Sequence, residues 1–377
     1  MGILRVLLAI AVVIAHSQPA LGLALVGGQV AVQAFFIISG FYMALILERK
    51  YAGEGGYSLF LGNRFLRLFP IYWIVLVATA IAGVAGLHLF QAGPLQSFHE
   101  RGGSLGVGAW LLVALGNLAI LGQDLVYFLG VDHATGSLGW SSNFMETDPP
   151  LFRFLLVPQA WSLSLEICFY LMVPFLAVRS TALLAVLVAA SLLCRLYIVS
   201  ALGLDHDPWL NRLLPLELAL FLMGILSFRL YRKMGAAGRF AEVGPVFLVL
   251  TLLVVLAYPL LSGFSVHQQI VNWVFYFWLL LALPFIFHVT RQNAIDARLG
   301  ELSYPLYVVH VLVIYLLAPF LGALQLTAYK GELTIFLSLG AAWLLVKFVA
   351  DPVERYRQYR VRNHVGDRAK ALPGVSA

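Results

Sequence analysis

The sequence predicts an all-α integral membrane protein: a bundle of about ten transmembrane helices with one additional re-entrant or interfacial helix. Three observations carry this reading. The 377 residues are 61% hydrophobic and only 11% charged, where soluble domains carry about 25% charged residues. Apolar stretches of about 20 residues, the length that crosses a hydrocarbon core of about 30 Å, recur along the chain and bring its mean hydropathy to +0.90. The basic residues gather in alternating loops, as membrane sidedness requires.

The apolar segments fall at residues 3–24, 27–47, 69–90, 163–178, 181–200, 213–231, 243–262, 269–290, 304–323 and 333–350. The first merges into a full-length span and lacks an A-x-A-like cleavage site, so a removable signal peptide is not expected. An eleventh stretch, 105–123, is weaker and rich in Gly and small residues. Between it and the span at 163 runs the longest polar excursion, 124–160, with Asp132, His133, Trp140, Glu146 and Asp148-Pro149-Pro150. A connection of that length suits a functional loop or an acceptor-binding lid. Cys168 and Cys194 lie within apolar runs and read as small hydrophobic fillers, not as a disulfide or metal site. The membrane domain is expected to occupy residues 1–362, with a disordered tail over 363–377.

Charge decides the treatment of the eleventh stretch. Eighteen of the 24 Lys and Arg residues fall on one set of alternating segments: Arg5, the 48–68 loop, Arg179, the 229–239 loop with Arg239, the pair Arg291 and Arg298, and the tail. The opposite set holds Arg101, Arg153, Arg212 and Lys330, while Arg195 and Lys347 lie inside spans. Both termini are therefore expected in the cytoplasm. That requires an even number of crossings, so 105–123 is read as non-spanning. The net charge of +6 marks sidedness and calls for no nucleic-acid partner.

Polar residues inside apolar helices are expensive and point to function. Arg5 and His16 stand eleven positions apart with nothing polar between them. On a helix this is about three turns plus 20°, one shared face, with an axial separation of about 16 Å. Each residue alone has a bland explanation, Arg5 as a snorkelling anchor and His16 as a hydrogen-bonded helix-end histidine; the shared phase argues for a joint task. Arg64 and Arg67, at i, i+3 before Pro70, face the same way and are able to clamp phosphates through bidentate hydrogen bonds, or else belong to a headgroup belt. Ser162, Glu166 and Tyr170 share the face of a helix that opens with Trp161-Ser162-Leu163-Ser164-Leu165-Glu166. Glu166 needs a partner, for which Arg195 is the structural candidate and His16 the catalytic one. Tyr304, Tyr307 and His310 follow at i, i+3 spacing, where His310 equally suits an interhelical hydrogen bond. Glu217 is intramembrane and unassigned. Ser39-Gly40 reads as close helix packing.

Taken together, five segments resemble the membrane-bound acyltransferase-3 family, which O-acylates carbohydrates of the bacterial envelope. They are Arg5-x10-His16, Ala34-Phe35-Phe36-Ile37-Ile38-Ser39-Gly40-Phe41, Arg64-x-x-Arg67-x-x-Pro70, Trp161 to Glu166 with Phe169-Tyr170, and Ser303-Tyr304-Pro305-Leu306-Tyr307-x-x-His310. The resemblance implies about ten helices, a cytoplasmic acyl-CoA donor and an intramembrane histidine required for transfer. The family often carries Gly-Val-Asp before its Phe-Phe; here Ala31-Val32-Gln33 stands in its place, and the role of that carboxylate does not carry over. Some members append a periplasmic esterase-like domain, which this sequence does not lead one to expect.

The expected protein is thus an inner-membrane O-acyltransferase that moves acetyl from acetyl-CoA to a hydroxyl of an exported polysaccharide, exopolysaccharide or lipopolysaccharide. His16 and Glu166 are its candidate catalytic residues. Arg5, Arg64, Arg67, Tyr304 and His310 are its candidate donor-binding residues, and no metal is called for. Two rivals remain open: a multi-span transporter of a small anion or lipid-linked sugar, and a cytoplasm-facing transferase acting on a lipid-linked precursor. The absence of an evident inverted repeat or of paired broken helices counts against the transporter.

Overall fold

A computed structural model describes residues 1–51, 53, 55–132, 135–235, 240–263 and 268–371. His133 and Arg239, both named above, lie outside the described residues. The chain is helical almost throughout: α1 (Gly2–His16), α2 (Gly28–Lys50), α3 (Gly56–Phe90), α4 (Gln96–Arg101), α5 (Val107–Ala119), α6 (Trp161–Ala177), α7 (Thr181–Ser200), α8 (Leu214–Met234), α9 (Phe240–Gly263), α10 (Gln268–Thr290), α11 (Ala294–Ala323) and α12 (Lys330–Leu345). A π-helical turn at Val346–Ala350 joins α12 to α13 (Asp351–Ala371). A two-stranded antiparallel hairpin, β1 (Leu129–Val131) and β2 (Leu138–Trp140), interrupts the long polar excursion. Among the described residues nine helical stretches are long and apolar enough to cross a membrane, with α1 and α5 shorter. The protein is an all-α, multi-pass membrane protein.

Several boundaries differ from those read in the sequence, each for an identifiable reason. The first helix does not run to residue 24 but stops at His16. Pro19 supplies no N–H and disfavours helical geometry at Gln18, so the apolar run continues while the helix does not. The chain then turns through Leu21, Gly22, Leu25 and Gly27, all with positive φ, and lies against the start of α12, where the Leu21 N–H donates to Glu332 Oε1 at 2.8 Å. In α3 the helix begins at Gly56 and not at 69, carrying Arg64 and Arg67 on regular helix and Pro70 in its interior; a hydropathy window stops at the arginines, but the backbone has no cause to. Similarly α11 starts at Ala294, where Asn293 caps it by accepting the Asp296 N–H at 3.0 Å. Residues 363–371, expected in a disordered tail, continue α13. With 13 residues, α5 rises only about 20 Å and is too short to cross a core of about 30 Å.

Two features of the packing place the site. First, α2 and α8 touch backbone to backbone: Gly40 faces Phe221 and Gly224, and a Cβ added at Gly40 would stand 2.0 Å from the Phe221 carbonyl oxygen. Second, α1 packs against α2, α11 and α12 and so runs through the middle of the bundle. Buried between α2, α7, α8 and α10 is a separate polar knot. There Arg195 Nη2 lies 2.8 Å from Glu217 Oε1, Gln33 Nε2 donates to both Glu217 oxygens at 3.0 and 3.1 Å, and the Tyr276 hydroxyl donates to Gln33 Oε1. Arg195, offered above as a partner for Glu166, is therefore committed to Glu217.

Candidate active site

A cavity of about 350 Å³ opens between α1, α2, α3, α6, α11 and α13. Arg5, Arg64, Arg67, Glu166 and Tyr304, five of the seven candidate catalytic and donor-binding residues, all line it. A second cavity of about 350 Å³ shares Lys50, Arg64, Glu354 and Arg357 with the first and extends to Arg362. One end of the space is thus rich in cations. Lys50 and Arg357 escaped the sequence reading because they appeared only as anonymous members of a basic loop and tail.

The arginines are held without being neutralised. Arg64 is 7% exposed, and among the described residues its Nε has no partner; its guanidinium lies 5.9 Å from the ring centroids of Phe60 and Tyr170. Arg5 stands 5.9 Å from the Tyr42 ring. Among the described residues neither these two nor Arg67 is ion-paired, whereas Arg357 pairs with Glu354. A guanidinium buried like that of Arg64 without a counter-charge among the described residues suits an anionic ligand. The N–H of Arg64 left unbonded in a buried place is a further vacancy for an acceptor oxygen.

Glu166 faces the same cavity, but its carboxylate is spoken for locally. Oε1 accepts from Ser39 Oγ at 2.7 Å and from the Tyr170 hydroxyl at 2.5 Å. Neither Arg195 nor His16 is its hydrogen-bond partner, so the expected Glu166–His16 pairing is not what the helices build. Ser39, read in the sequence only as a packing residue, is the group that α2 contributes. The Tyr304 hydroxyl donates to the Leu68 carbonyl at 2.6 Å and ties α11 to α3 beside Pro70. One turn on, Tyr307 also lines the cavity; its hydroxyl meets Ser162 Oγ at 2.6 Å and donates to the Gln159 carbonyl.

His16 and His310 are placed differently from the other five. Neither lines the cavity wall. They stand together, ring centroids 5.0 Å apart, so His310 is placed beside His16 and not with the arginines it was grouped with in the sequence. His16, the last residue of α1, is exposed, while His310 is fully buried. His16 Nδ1 lies 2.9 Å from the Val12 carbonyl, and His310 Nδ1 lies 2.7 Å from the Tyr307 carbonyl. A carbonyl only accepts, so in each neutral ring the hydrogen sits on Nδ1 and Nε2 keeps its lone pair. Among the described residues His310 Nε2 has no hydrogen-bond partner. The cavity and the pair adjoin through Tyr307, which lines the cavity and whose ring centroid lies 6.0 Å from that of His310.

The geometry therefore combines a guanidinium cluster unpaired among the described residues, the cavity it lines, and a pair of imidazoles that adjoins that cavity through Tyr307. Comparison with curated proteins and with solved structures gives no match. A family model described as an acyltransferase domain matches residues 1–350. That match spans nearly the whole helical bundle and both ends of the site, and the chain belongs to the acyltransferase-3 family of membrane acyltransferases.

Proposed function

We propose that the protein transfers an acyl group, acetyl in the first instance, from acyl-CoA to a hydroxyl of a cell-envelope or exported carbohydrate. The observation that carries this reading is the convergence of Arg5, Arg64 and Arg67, unpaired among the described residues, on one cavity whose other end adjoins the His16–His310 pair. On this reading the basic end faces the cytoplasm of a bacterial inner membrane. The three arginines hold the nucleotide phosphates, with Lys50 and Arg357 widening the positive mouth. The pantetheine arm passes Ser39, Glu166 and Tyr304 toward Tyr307, a path comparable with the separation of about 16 Å that helix rise sets between Arg5 and His16.

His16 Nε2 then takes the proton of an acceptor hydroxyl arriving at the exposed end. The hydroxyl oxygen bonds to the thioester carbonyl carbon, and the carbonyl π pair moves onto its oxygen. When that pair returns, the C–S bond breaks, and the thiolate leaves and takes the proton from His16. A positioned base of this kind is worth typically about 10²- to 10⁴-fold. Glu166 belongs to the donor side, where it fixes Ser39 and Tyr170 around the arm. CoA stays on its own side, and only the acyl group passes.

The test is calorimetric binding of acetyl-CoA to the purified protein and to an Arg64→Ala/Arg67→Ala variant. Hydrogen bonds to charged groups contribute about 1.5–3 kcal/mol each, so the double variant should bind at least about 100-fold more weakly. A folded wild type that binds no acetyl-CoA would overturn the donor assignment, and saturable binding unchanged in the variant would overturn the phosphate clamp.

A further inference from the structure

One guanidinium at the far end has a role that the donor and base assignments do not absorb. Arg212 sits in the connection before α8, outside the membrane-spanning helices. Asp207 takes its Nε and Nη2 in a bidentate pair, both contacts 2.7 Å. Its guanidinium carbon lies 3.8 Å from the centroid of the Tyr127 ring and 4.2 Å from that of Trp161. With both faces covered and one edge clamped, the group has no freedom to swing. Among the described residues its remaining nitrogen, Nη1, is buried and has no hydrogen-bond partner.

The neighbourhood of this unused donor is the reacting end of the site. Trp161, which covers one face of Arg212, precedes Ser162, and Ser162 is bonded to Tyr307. Because Asp207 already balances the charge, the free N–H does not call for a resident anion. It suits a neutral oxygen that becomes negative for part of a reaction. A donor fixed in advance and sheltered from water is most effective against charge that develops in the transition state.

We propose that Arg212 Nη1 is the oxyanion donor of the transfer reaction, hydrogen-bonding the acyl carbonyl oxygen as the acceptor adds beside His16. This rests on the acyl-transfer reading above. As the nucleophile's oxygen bonds to the carbonyl carbon, the π pair settles on the carbonyl oxygen and is met by the Nη1 hydrogen, which stays on nitrogen. The pair then returns to re-form C=O while the C–S bond breaks to thiolate. Asp207 is the positioning residue that aims the guanidinium. Tyr127 and Trp161 keep it planar and dry.

The test uses the full chain in liposomes with acetyl-CoA, reading release of CoA thiol to water and to added methyl glucoside, with calorimetric acetyl-CoA binding as the check of folding. Arg212→Gln should lower kcat by about 10²- to 10³-fold with acetyl-CoA binding unchanged. Arg212→Lys, which keeps the charge but not the second arm, should lose at least about tenfold. Wild-type turnover with either folded variant within threefold of it would overturn the proposal alone. An increase in the KM for the glucoside with kcat preserved would do the same, assigning Arg212 to the acceptor. Variants that no longer bind acetyl-CoA would make Arg212 structural and equally overturn it. A wild type that binds acetyl-CoA but releases no thiol would overturn the acyl-transfer reading itself.

Discussion

Adding a single methyl group at Gly224 tests how closely α2 and α8 are required to approach. A Cβ there would stand 2.0 Å from the Ile37 carbonyl oxygen, 2.7 Å from the Phe41 nitrogen and 2.8 Å from Gly40 Cα. A relaxed carbon–oxygen contact is about 3.3 Å, so Gly224→Ala must push the two backbones apart by about 1.3 Å. The atoms in the way are main chain and cannot rotate aside. A radial gap of about 0.5–1 Å already forfeits a quarter to a half of each dispersion contact, and the Phe36–Phe221 stack, centroids 4.5 Å apart, lies on the same seam. Overpacking of this kind costs about 1–3 kcal/mol, and the displacement needed puts Gly224→Ala at the upper end. Gly40→Ala, facing the Phe221 carbonyl, should cost the same. Because one separation of the helices relieves both clashes, Gly40→Ala/Gly224→Ala should cost at least about 1 kcal/mol less than the sum of the singles. Denaturant unfolding in a mild detergent measures all three. A single variant within about 0.5 kcal/mol of wild type, or a strictly additive double variant, would refute the reasoning.

Other outcomes follow from the same geometry. Glu217→Gln leaves Arg195 buried without its counter-charge and should destabilise by about 3–5 kcal/mol, whereas Arg195→Leu/Glu217→Leu should cost less because both charges go together; thermal melts of the two decide it. His310→Gln, which puts an amide beside His16, should cut acyl transfer by at least about tenfold while acetyl-CoA binding stays at the wild-type level; full transfer in that variant would remove His310 from the mechanism. Asp124 lies outside the spans, and burial pushes its carboxyl above the usual carboxylate range even though Ser164 donates to it at 2.6 Å. The native state therefore holds that proton more tightly than the unfolded chain, and stability falls as pH rises through the ordinary carboxylate pKa toward the raised value, staying low above it. Asp124→Asn keeps the acceptor for Ser164, so it should melt higher than wild type at pH 7 and level with it at about pH 4. Equal melting temperatures at both pH values would contradict this.

What was legible in the sequence was whatever one helix encodes by itself. The eleven-residue step from Arg5 to His16, the i, i+3 pair Arg64 and Arg67, and the Ser162–Glu166–Tyr170 face each follow from helical phase. All but His16 line the one cavity. What one helix cannot encode is which face meets it. Glu166 and Glu217 looked alike as lone intramembrane acids, yet one found Ser39 and Tyr170 and the other Arg195 and Gln33. His310 stands six positions after Tyr304 on α11, about 120° further round the helix, so it meets His16 and not the cavity. Gln33 is instructive in the same way. Nothing in its own helix marks it for function, yet it donates to the carboxylate supplied from α8 by Glu217. Hydropathy alone does not place the end of α1, because Pro19 lies inside a run that it does not divide.

The shortness of α1 also bears on electrical work. Its 15 residues rise about 22 Å, so the far end of the helix is reached before a full core of about 30 Å has been crossed. Moving a unit charge across a membrane polarised by 100 mV takes about 2.3 kcal/mol. On the proposed reading, the phosphates of the donor stop at the arginines, and the group that travels on to His16 is uncharged. The field across the bilayer then does no work on the acyl group. The energy for its passage comes from the thioester alone, and the export of acyl groups stays independent of the membrane potential.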